Sequence, residues 1–227
     1  MLLNTYVKEP SGGAKACVIW LHGLGANGKD MEGLAHELPM RVPLRHVFMD
    51  APVRPVTLNN HMPMRAWYDI TGTTLTDRED SAGIKQSEAM ILQVIDKALS
   101  EGFLPQHIFL AGFSQGGAMA LYTGLGSSLP LGGIVALSSY LPLAASCQIH
   151  LPTNTPIFMA AGMYDELVLP LWTKQSAEHI ERLGFHNIAY HEYPMEHNIC
   201  AEEVRDLTNW LTTQVSLNNH QDGAVKQ

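Results

Sequence analysis

Residues 107–121 read HIFLAGFSQGGAMAL, and this stretch decides the fold. An apolar run ends at Gly112, a Gly-x-Ser-x-Gly pattern is centred on Ser114, and a helix-forming run begins at Ala118. Strand, sharp turn and helix are the context of a nucleophile elbow, in which a strained turn lifts the serine hydroxyl clear of the sheet. Gly112 and Gly116 flank the serine because a Cβ at either position would collide with neighbouring chain. The stretch predicts a nucleophilic Ser114, although the pentapeptide alone also fits a structural turn.

Composition restricts the classes of protein to which the chain can belong. Its 227 residues suit one domain, and a hydrophobic content of 46% allows a large core. The net charge of −8 and the lack of clustered Lys and Arg argue against nucleic acid as a partner. Three widely spaced cysteines without a C-x-x-C pattern indicate unpaired thiols, not a disulfide framework or a zinc site. With neither a signal-peptide pattern nor an apolar run of membrane-spanning length, we expect a cytoplasmic protein with no membrane span.

Short apolar runs alternate with helical patterns along the chain. This alternation predicts an α/β fold with a mostly parallel sheet and helices on both faces. The predicted strands are residues 2–8, 15–21, 45–49, 108–111, 133–137, 156–161 and 187–193. The predicted helices are residues 31–38 with Asp30 as N-cap, 80–102, a run after the elbow, 171–183 and 201–215. Residues 52–66 hold three prolines and no clear period, which predicts a loop. We expect one domain over residues 1–215 and a disordered polar tail over residues 216–227.

Four candidate active-site residues each come just after a predicted strand: His22, Ser114, Asp165 and His197. In such sheets reactive groups gather at the C-terminal ends of the strands. A serine hydroxyl is a poor nucleophile near neutral pH and needs a base, which in turn needs an orienting carboxylate. The chain order Ser, Asp, His is the one that accompanies a central elbow. The sequence therefore predicts Ser114 as nucleophile, His197 as base and Asp165 as the orienting acid.

Other residues compete for these roles. His22 precedes Ser114 and lies in a glycine-rich loop, where we expect it to hydrogen-bond loop backbone. Glu166 stands beside Asp165 and could substitute for it, whereas Asp50 comes before the elbow and Asp69 is outside the expected order. The same glycine-rich loop is either a plain strand-to-helix turn or the source of an oxyanion donor. In the second interpretation the oxyanion is held by the backbone N–H groups of Gln115 and Leu24.

The segment between residues 52 and 70 is rich in thioether and aromatic side chains. Met62, Met64 and Trp67 belong to it, and such side chains suit flexible acyl or alkyl chains. We expect these three residues, together with Leu167, to bind substrate. Ordinary loop packing is the alternative interpretation.

Five motifs together resemble those of the phospholipase/carboxylesterase family of compact α/β-hydrolases, which includes acyl-protein thioesterases. They are LHGLG (21–25), RAWYD (65–69), GFSQGG (112–117), GMYDELV (162–168) and MEH (195–197). The chain looks most similar to the bacterial carboxylesterases of that group, and the match runs from about residue 15 to residue 213, which leaves little room for a cap domain. Two departures stand out: Met163 and Tyr164 precede the acid where relatives carry small polar residues, and Glu196 replaces a glycine before the histidine.

The resemblance implies an α/β-hydrolase without a large cap domain, a triad of Ser114, Asp165 and His197, and oxyanion donors at Leu24 and Gln115. It implies a serine hydrolase that cleaves carboxylic esters or thioesters through an acyl-enzyme, without metal or organic cofactor. Expected substrates are small-molecule esters, lysophospholipids or S-acylated proteins, and a homodimer is common in the family. Because a fold does not fix a function, a catalytically silent ligand-binding protein on the same fold is the alternative. A serine peptidase is a third hypothesis, which the lack of a propeller or large cap disfavours.

Overall fold

The computed structural model describes residues 4–72 and 77–225, with side chains described through residue 219. The strands are β1 (Thr5–Lys8), β2 (Ala16–Leu21), β3 (Leu44–Met49), β4 (Val53–Val56), β5 (Met62–Arg65), β6 (Ile108–Phe113), β7 (Gly133–Leu137), β8 (Ile157–Gly162) and β9 (Ile188–Tyr193). The helices are α1 (Gly28–Glu37), α2 (Ser81–Ser100), α3 (Gln115–Gly126), α4 (Pro170–Arg182) and α5 (Ala201–Val225). Single 3₁₀ turns lie at Thr57–Asn59 and Pro105–His107.

Seven strands form the central sheet in the order β1-β3-β2-β6-β7-β8-β9. β1 runs antiparallel at one edge, and every other neighbouring pair is parallel. The predicted sheet class is therefore confirmed. The predicted edge strand is confirmed at Thr5–Lys8, and residues 2 and 3 of that prediction lie outside the described residues. Because all parallel strands point the same way, the loops that follow β2, β6, β8 and β9 meet at one edge of the sheet.

Helices cover both faces of the sheet, so its central strands are buried on both sides. Cys17, Ile19 and Leu21 of β2 pack into the core beneath α2, α3 and α4. Val18 and Trp20 alternate with them and pack into the core on the other face, beneath α1 and α5. This two-sided burial explains why β2, β7 and β8 read as continuous apolar runs and not as alternating patterns.

The start of α1 differs from the prediction. Asn27, not Asp30, is the N-cap, and its side chain accepts the N–H of Lys29 at 2.9 Å. The Asp30 carboxylate reaches back to the N–H of Asn27 at 2.8 Å and completes a capping box. Because Asp30 is the reciprocal member of this box, the helix begins three residues before the predicted start.

The predicted loop over residues 52–66 is instead an antiparallel hairpin of β4 and β5. Its register pairs Pro55 with Pro63, two residues without an N–H. Proline is tolerated in a strand where no ladder hydrogen bond is needed, and a two-stranded hairpin outside the main sheet meets that condition. The prediction was wrong because it treated the prolines as loop signals.

The last helix is longer than predicted. α5 continues to Val225, ten residues past the predicted end at Val215. The Asn218 side-chain amide donates to the carbonyl of Gln106 at 2.7 Å, which fixes part of this extension to the body of the fold. The prediction stopped early because the apolar period ends at Val215 while the polar residues that follow remain helical. Among the described residues, no helix combines the length and the apolar character that crossing a membrane requires.

Candidate active site

Ser114 sits at the sharp turn between β6 and α3. Its backbone has φ 54° and ψ −122°, a sparsely populated conformation for a residue with a side chain. The Ser114 N–H donates to the carbonyl of Leu137 on β7 at 2.8 Å, which ties the turn to the neighbouring strand. A Cβ on Gly116 would lie 2.1 Å from the Leu21 carbonyl oxygen, and one on Gly112 would lie 2.3 Å from the Gly116 carbonyl carbon. The two glycines are therefore required by close backbone approach, as the motif predicts.

The structure brings Ser114, His197 and Asp165 together in one hydrogen-bonded series. His197 Nε2 lies 2.9 Å from Ser114 Oγ, and His197 Nδ1 lies 2.6 Å from Asp165 Oδ2. Asp165 is only 2% exposed, and its Oδ1 accepts the N–H groups of Leu167 and Val168 at 2.9 and 2.8 Å. Because both oxygens of the carboxylate are occupied, its orientation toward the imidazole is fixed.

This arrangement determines the tautomer of His197. A carboxylate oxygen can only accept, so the proton of the neutral ring lies on Nδ1 and the lone pair lies on Nε2. Nε2 therefore accepts the Ser114 hydroxyl hydrogen, which is the arrangement that general-base activation of a serine needs. The ring also packs on Phe113, with centroids 4.8 Å apart, which restricts its rotation.

Two loops must approach closely to align these groups. The loop after β8 carries the acid, and the loop after β9 carries the histidine. Tyr164 N–H donates to the Met195 carbonyl at 3.0 Å. A Cβ on Gly162 would lie 2.4 Å from the Glu196 carbonyl oxygen. Two of the residues that depart from the family pattern, Tyr164 and Glu196, thus lie where these two loops contact each other.

The loop after β2, residues 22–25, is termed the oxyanion loop below. A Cβ on Gly23 would lie 3.4 Å from the Cβ of Ser114, which places this loop against the elbow. Gly25 N–H donates to the Arg65 carbonyl at 2.8 Å, and Ala26 N–H donates to the Gly23 carbonyl at 3.2 Å. Among the described residues no acceptor takes the Leu24 N–H, the donor that the sequence predicts. Gln115 supplies the other predicted N–H, at the first position of α3.

The buried side chain of His22 hydrogen-bonds to the backbone of this loop and of the segment that follows β3. The ring is fully buried, and its Nε2 accepts the N–H of Ala51 at 2.9 Å. Nδ1 therefore carries the proton and donates to the Gly23 carbonyl at 2.7 Å. Burial lowers the pKa of His22, which favours the neutral ring that this pattern requires. The prediction that His22 hydrogen-bonds loop backbone is confirmed.

The other candidate acids lie elsewhere. Glu166 is exposed and faces the cavity beside the serine, while its neighbour Asp165 holds the histidine. Asp69 accepts the N–H and the hydroxyl of Thr57, at 2.7 and 2.6 Å. Asp50 accepts the N–H of Gly28 at 2.9 Å. Asp69 and Asp50 therefore have structural partners of their own.

A cavity of about 680 Å³ opens beside Ser114 and has largely apolar walls. Leu167, expected to bind substrate, lines it. So do several apolar side chains that the sequence did not single out: Met31, Leu58, Ile70, Tyr140, Val168, Leu169 and Trp172. Their segments are distant in the chain, so only the fold brings them together. No group of three or more His, Cys, Asp or Glu side chains within the described part of the chain could hold a metal ion.

Three predicted substrate-binding residues are not among those that line this cavity. Met62 lies on β5 with 55% of its surface exposed, and Met64 follows it on the same strand. Trp67 is fully buried and makes hydrogen bonds to the protein. Met62, Met64 and Trp67 therefore do not line the cavity beside Ser114, because β4 and β5 form a hairpin of their own and the next segment packs against the oxyanion loop.

The sequence matches the family model described as Phospholipase/Carboxylesterase over residues 3–215. This chain belongs to the phospholipase/carboxylesterase family. It is 35% identical to acyl-protein thioesterase 1 of Emericella nidulans over 220 residues, covering 90% of this chain and 92% of the relative. It is 36% identical to acyl-protein thioesterase 1 of Mycosarcoma maydis over 232 residues, covering 92% and 96%.

Among solved structures, acyl-protein thioesterase 2 of Zea mays superimposes with a TM-score of 0.81 at 29% identity. The match covers 93% of this chain and 99% of the maize protein. These findings confirm the predicted family and the α/β-hydrolase fold. The chain is therefore an enzyme of the class that hydrolyses esters or thioesters.

Proposed function

We propose that this enzyme hydrolyses the thioesters of S-acylated proteins through an acyl-enzyme on Ser114. The observation that carries the proposal is the fixed series Asp165, His197 and Ser114 at the mouth of an apolar cavity. The substrate class is supported by similarity to acyl-protein thioesterases, which extends over nine-tenths of the chain.

In the first half-reaction Ser114 Oγ attacks the acyl carbonyl carbon while its proton moves to His197 Nε2. Asp165 stabilises the resulting imidazolium and does not take the proton itself. The carbonyl oxygen becomes an oxyanion, which the N–H groups of Leu24 and Gln115 stabilise. Each donor of this kind contributes about 3 kcal/mol to lowering the barrier. His197 then gives its proton to the leaving thiol or alcohol.

In the second half-reaction water replaces the leaving group. His197 Nε2 takes a proton from the water, whose oxygen attacks the acyl carbon of the acyl-enzyme. The same two N–H groups hold the second oxyanion. Collapse of this intermediate releases the carboxylic acid, and His197 returns the proton to Ser114 Oγ.

The cavity walls suit an acyl chain. Burying each methylene of such a chain is favourable by about 0.8 kcal/mol, so substrate binding strengthens with chain length until the cavity is full. Lysophospholipids and small carboxylic esters present the same carbonyl and a similar chain, and they are candidate substrates of the same site. We further propose a cytoplasmic enzyme, supported by the three unpaired cysteines. The homodimer that the resemblance implies stays a prediction that light scattering would check.

A rate panel on the purified protein tests the proposal. It compares p-nitrophenyl esters from acetate to palmitate, matched acyl thioesters, a lysophospholipid and an S-palmitoylated peptide, with Ser114→Ala as blank. We expect a Ser114-dependent rate that rises with chain length and is highest on the thioesters. A maximum at acetate or butyrate would instead indicate a small-ester carboxylesterase. No Ser114-dependent rate on any substrate would favour the ligand-binding alternative.

A further inference from the structure

We propose that Trp67 is a positioning residue that sets the geometry of the oxyanion hole. This inference rests on the proposed function, because it assigns a role to a residue outside the triad and outside the cavity wall. Trp67 lies at the centre of residues 65–69, termed the bridging segment, which follows β5. The segment contacts both elements that carry the expected oxyanion donors.

Two hydrogen bonds join the bridging segment to the oxyanion loop on either side of Leu24. On one side, the Trp67 indole Nε1–H donates to the His22 carbonyl at 2.8 Å. On the other side, the Gly25 N–H donates to the Arg65 carbonyl at 2.8 Å. Because the residues two before and one after Leu24 are held in this way, the direction of its N–H is fixed by the segment.

The same segment holds the residue that carries the second donor. The Gln115 side-chain oxygen accepts the Trp67 backbone N–H at 2.8 Å, and its amide nitrogen donates to the Tyr68 carbonyl at 2.8 Å. Gln115 is 5% exposed, so water does not compete for these bonds. The Gln115 side chain thereby anchors the start of α3, whose first residue carries the second expected oxyanion donor.

The anchor point itself is rigid. The Trp67 side chain is fully buried, and the Trp67 carbonyl accepts a hydrogen bond from the hydroxyl of Ser87 on α2. The indole also packs against the His22 ring, with centroids 5.4 Å apart. A segment whose three central residues are buried therefore hydrogen-bonds to both donor-carrying elements and restricts the distance between them.

This arrangement has a kinetic consequence. An oxyanion hole stabilises charge that develops only in the transition state, and its contribution depends steeply on donor position. Loosening the loop would weaken transition-state binding while leaving the binding of the acyl chain intact. The loss would therefore fall on kcat and not on KM.

Trp67→Phe tests this role because it keeps the buried ring and removes the indole N–H. We expect kcat on a thioester to fall about 10- to 100-fold, with KM within about threefold of wild type. The Ki of an acyl trifluoromethyl ketone should rise in proportion to the loss in kcat/KM. Its carbonyl carbon bonds to Ser114 Oγ, the carbonyl electron pair becomes the oxyanion, and the serine proton moves to His197.

Trp20→Phe is the matched control. Trp20 is also fully buried, and its indole N–H also donates one hydrogen bond, to His46 Nδ1 at 2.9 Å, but its side chain packs on the opposite face of the sheet. We expect its kcat and its inhibitor Ki to stay within about threefold of wild type. If Trp67→Phe does not fold, Gln115→Met removes both anchor bonds, keeps the backbone N–H and should give the same kinetic signature.

The proposal is overturned if Trp67→Phe retains kcat within about threefold, or if kcat falls while the inhibitor Ki does not change. It is also overturned if Trp20→Phe shows the same losses, since a general packing defect would then explain both variants. These failures are distinct from failure of the proposed function. The latter would appear as a wild-type enzyme without Ser114-dependent turnover.

Discussion

Replacing Asp165 with asparagine should invert the tautomer of His197. In the wild type, Asp165 Oδ1 accepts two backbone N–H groups, those of Leu167 and Val168. The asparagine oxygen must occupy that position, because its NH₂ group would otherwise face two donors. The NH₂ group therefore points at His197 Nδ1, which must become an acceptor, and the ring proton moves to Nε2. Nε2–H then faces Ser114 and cannot take its proton.

The expected loss follows from this inversion. A triad with the wrong tautomer loses about 10⁴-fold in kcat, equivalent to about 5.5 kcal/mol in the activation barrier. The assay is stopped-flow or steady-state hydrolysis of a long-chain thioester, with the folded state of Asp165→Asn checked by circular dichroism. Glu166→Gln is the matched control, because it also removes one negative charge, from an exposed side chain that directly follows Asp165 in the chain. Its kcat should stay within about threefold of wild type.

The result that would refute this reasoning is an Asp165→Asn rate within about tenfold of wild type. Such a rate would mean that the carboxylate does not set the tautomer. An equal loss in Glu166→Gln would point to a general electrostatic effect of lost negative charge and not to the hydrogen bond between Asp165 and His197.

Three further predictions concern the elbow, a buried carboxyl and the cavity. Gly116→Ala should lower the free energy of unfolding by about 4 kcal/mol or more, because the new Cβ would lie 2.1 Å from the Leu21 carbonyl oxygen. In a thermal melt this corresponds to a fall in Tm of about 10 °C. The control is Gly33→Ala on α1, where the new Cβ meets open space and Tm should not fall. Burial raises the folded-state pKa of Glu203 to about 8, against an ordinary 4.5. Wild-type stability should therefore fall between about pH 5 and pH 8, where the unfolded chain loses this proton while the folded state still holds it. In urea titrations Glu203→Gln should remove that fall and be the more stable protein at pH 9, by up to about 5 kcal/mol. Equal pH profiles would contradict the assignment. Ile70→Trp should fill part of the cavity and lower kcat/KM on palmitoyl esters about 10-fold, the equivalent of losing about two buried methylenes. Acetyl esters should react at the wild-type rate. Equal losses on both esters would show that Ile70 does not contact the acyl chain.

The elements that the sequence predicts well are those with local signals. Two-sided burial makes β2, β7 and β8 continuous apolar runs, and the turn chemistry around Ser114 is confined to one pentapeptide. Asp165 and His197 could be singled out because strand order fixes which loops meet at the sheet edge. In each case the physical constraint acts within a few residues, or follows from the parallel sheet alone.

The features that were missed depend on contacts between distant segments. The cavity wall combines Met31 from α1, Ile70 from just after the bridging segment and Trp172 from α4, and no periodicity links these positions. Trp67 looked like a pocket residue because an aromatic side chain in a Met-rich segment fits both roles. Its full burial and the hydrogen bond from its indole N–H to the His22 carbonyl distinguish support of the oxyanion loop from contact with substrate.

Covalent labelling of the nucleophile tests the central claim most directly. The purified enzyme is incubated with an alkyl fluorophosphonate, and the adduct is located by intact-mass and peptide mass spectrometry. The account predicts one adduct per chain, on the peptide that contains Ser114, with none in Ser114→Ala and much slower labelling in Asp165→Asn. An unlabelled wild-type protein, or an adduct on any other residue, would contradict it.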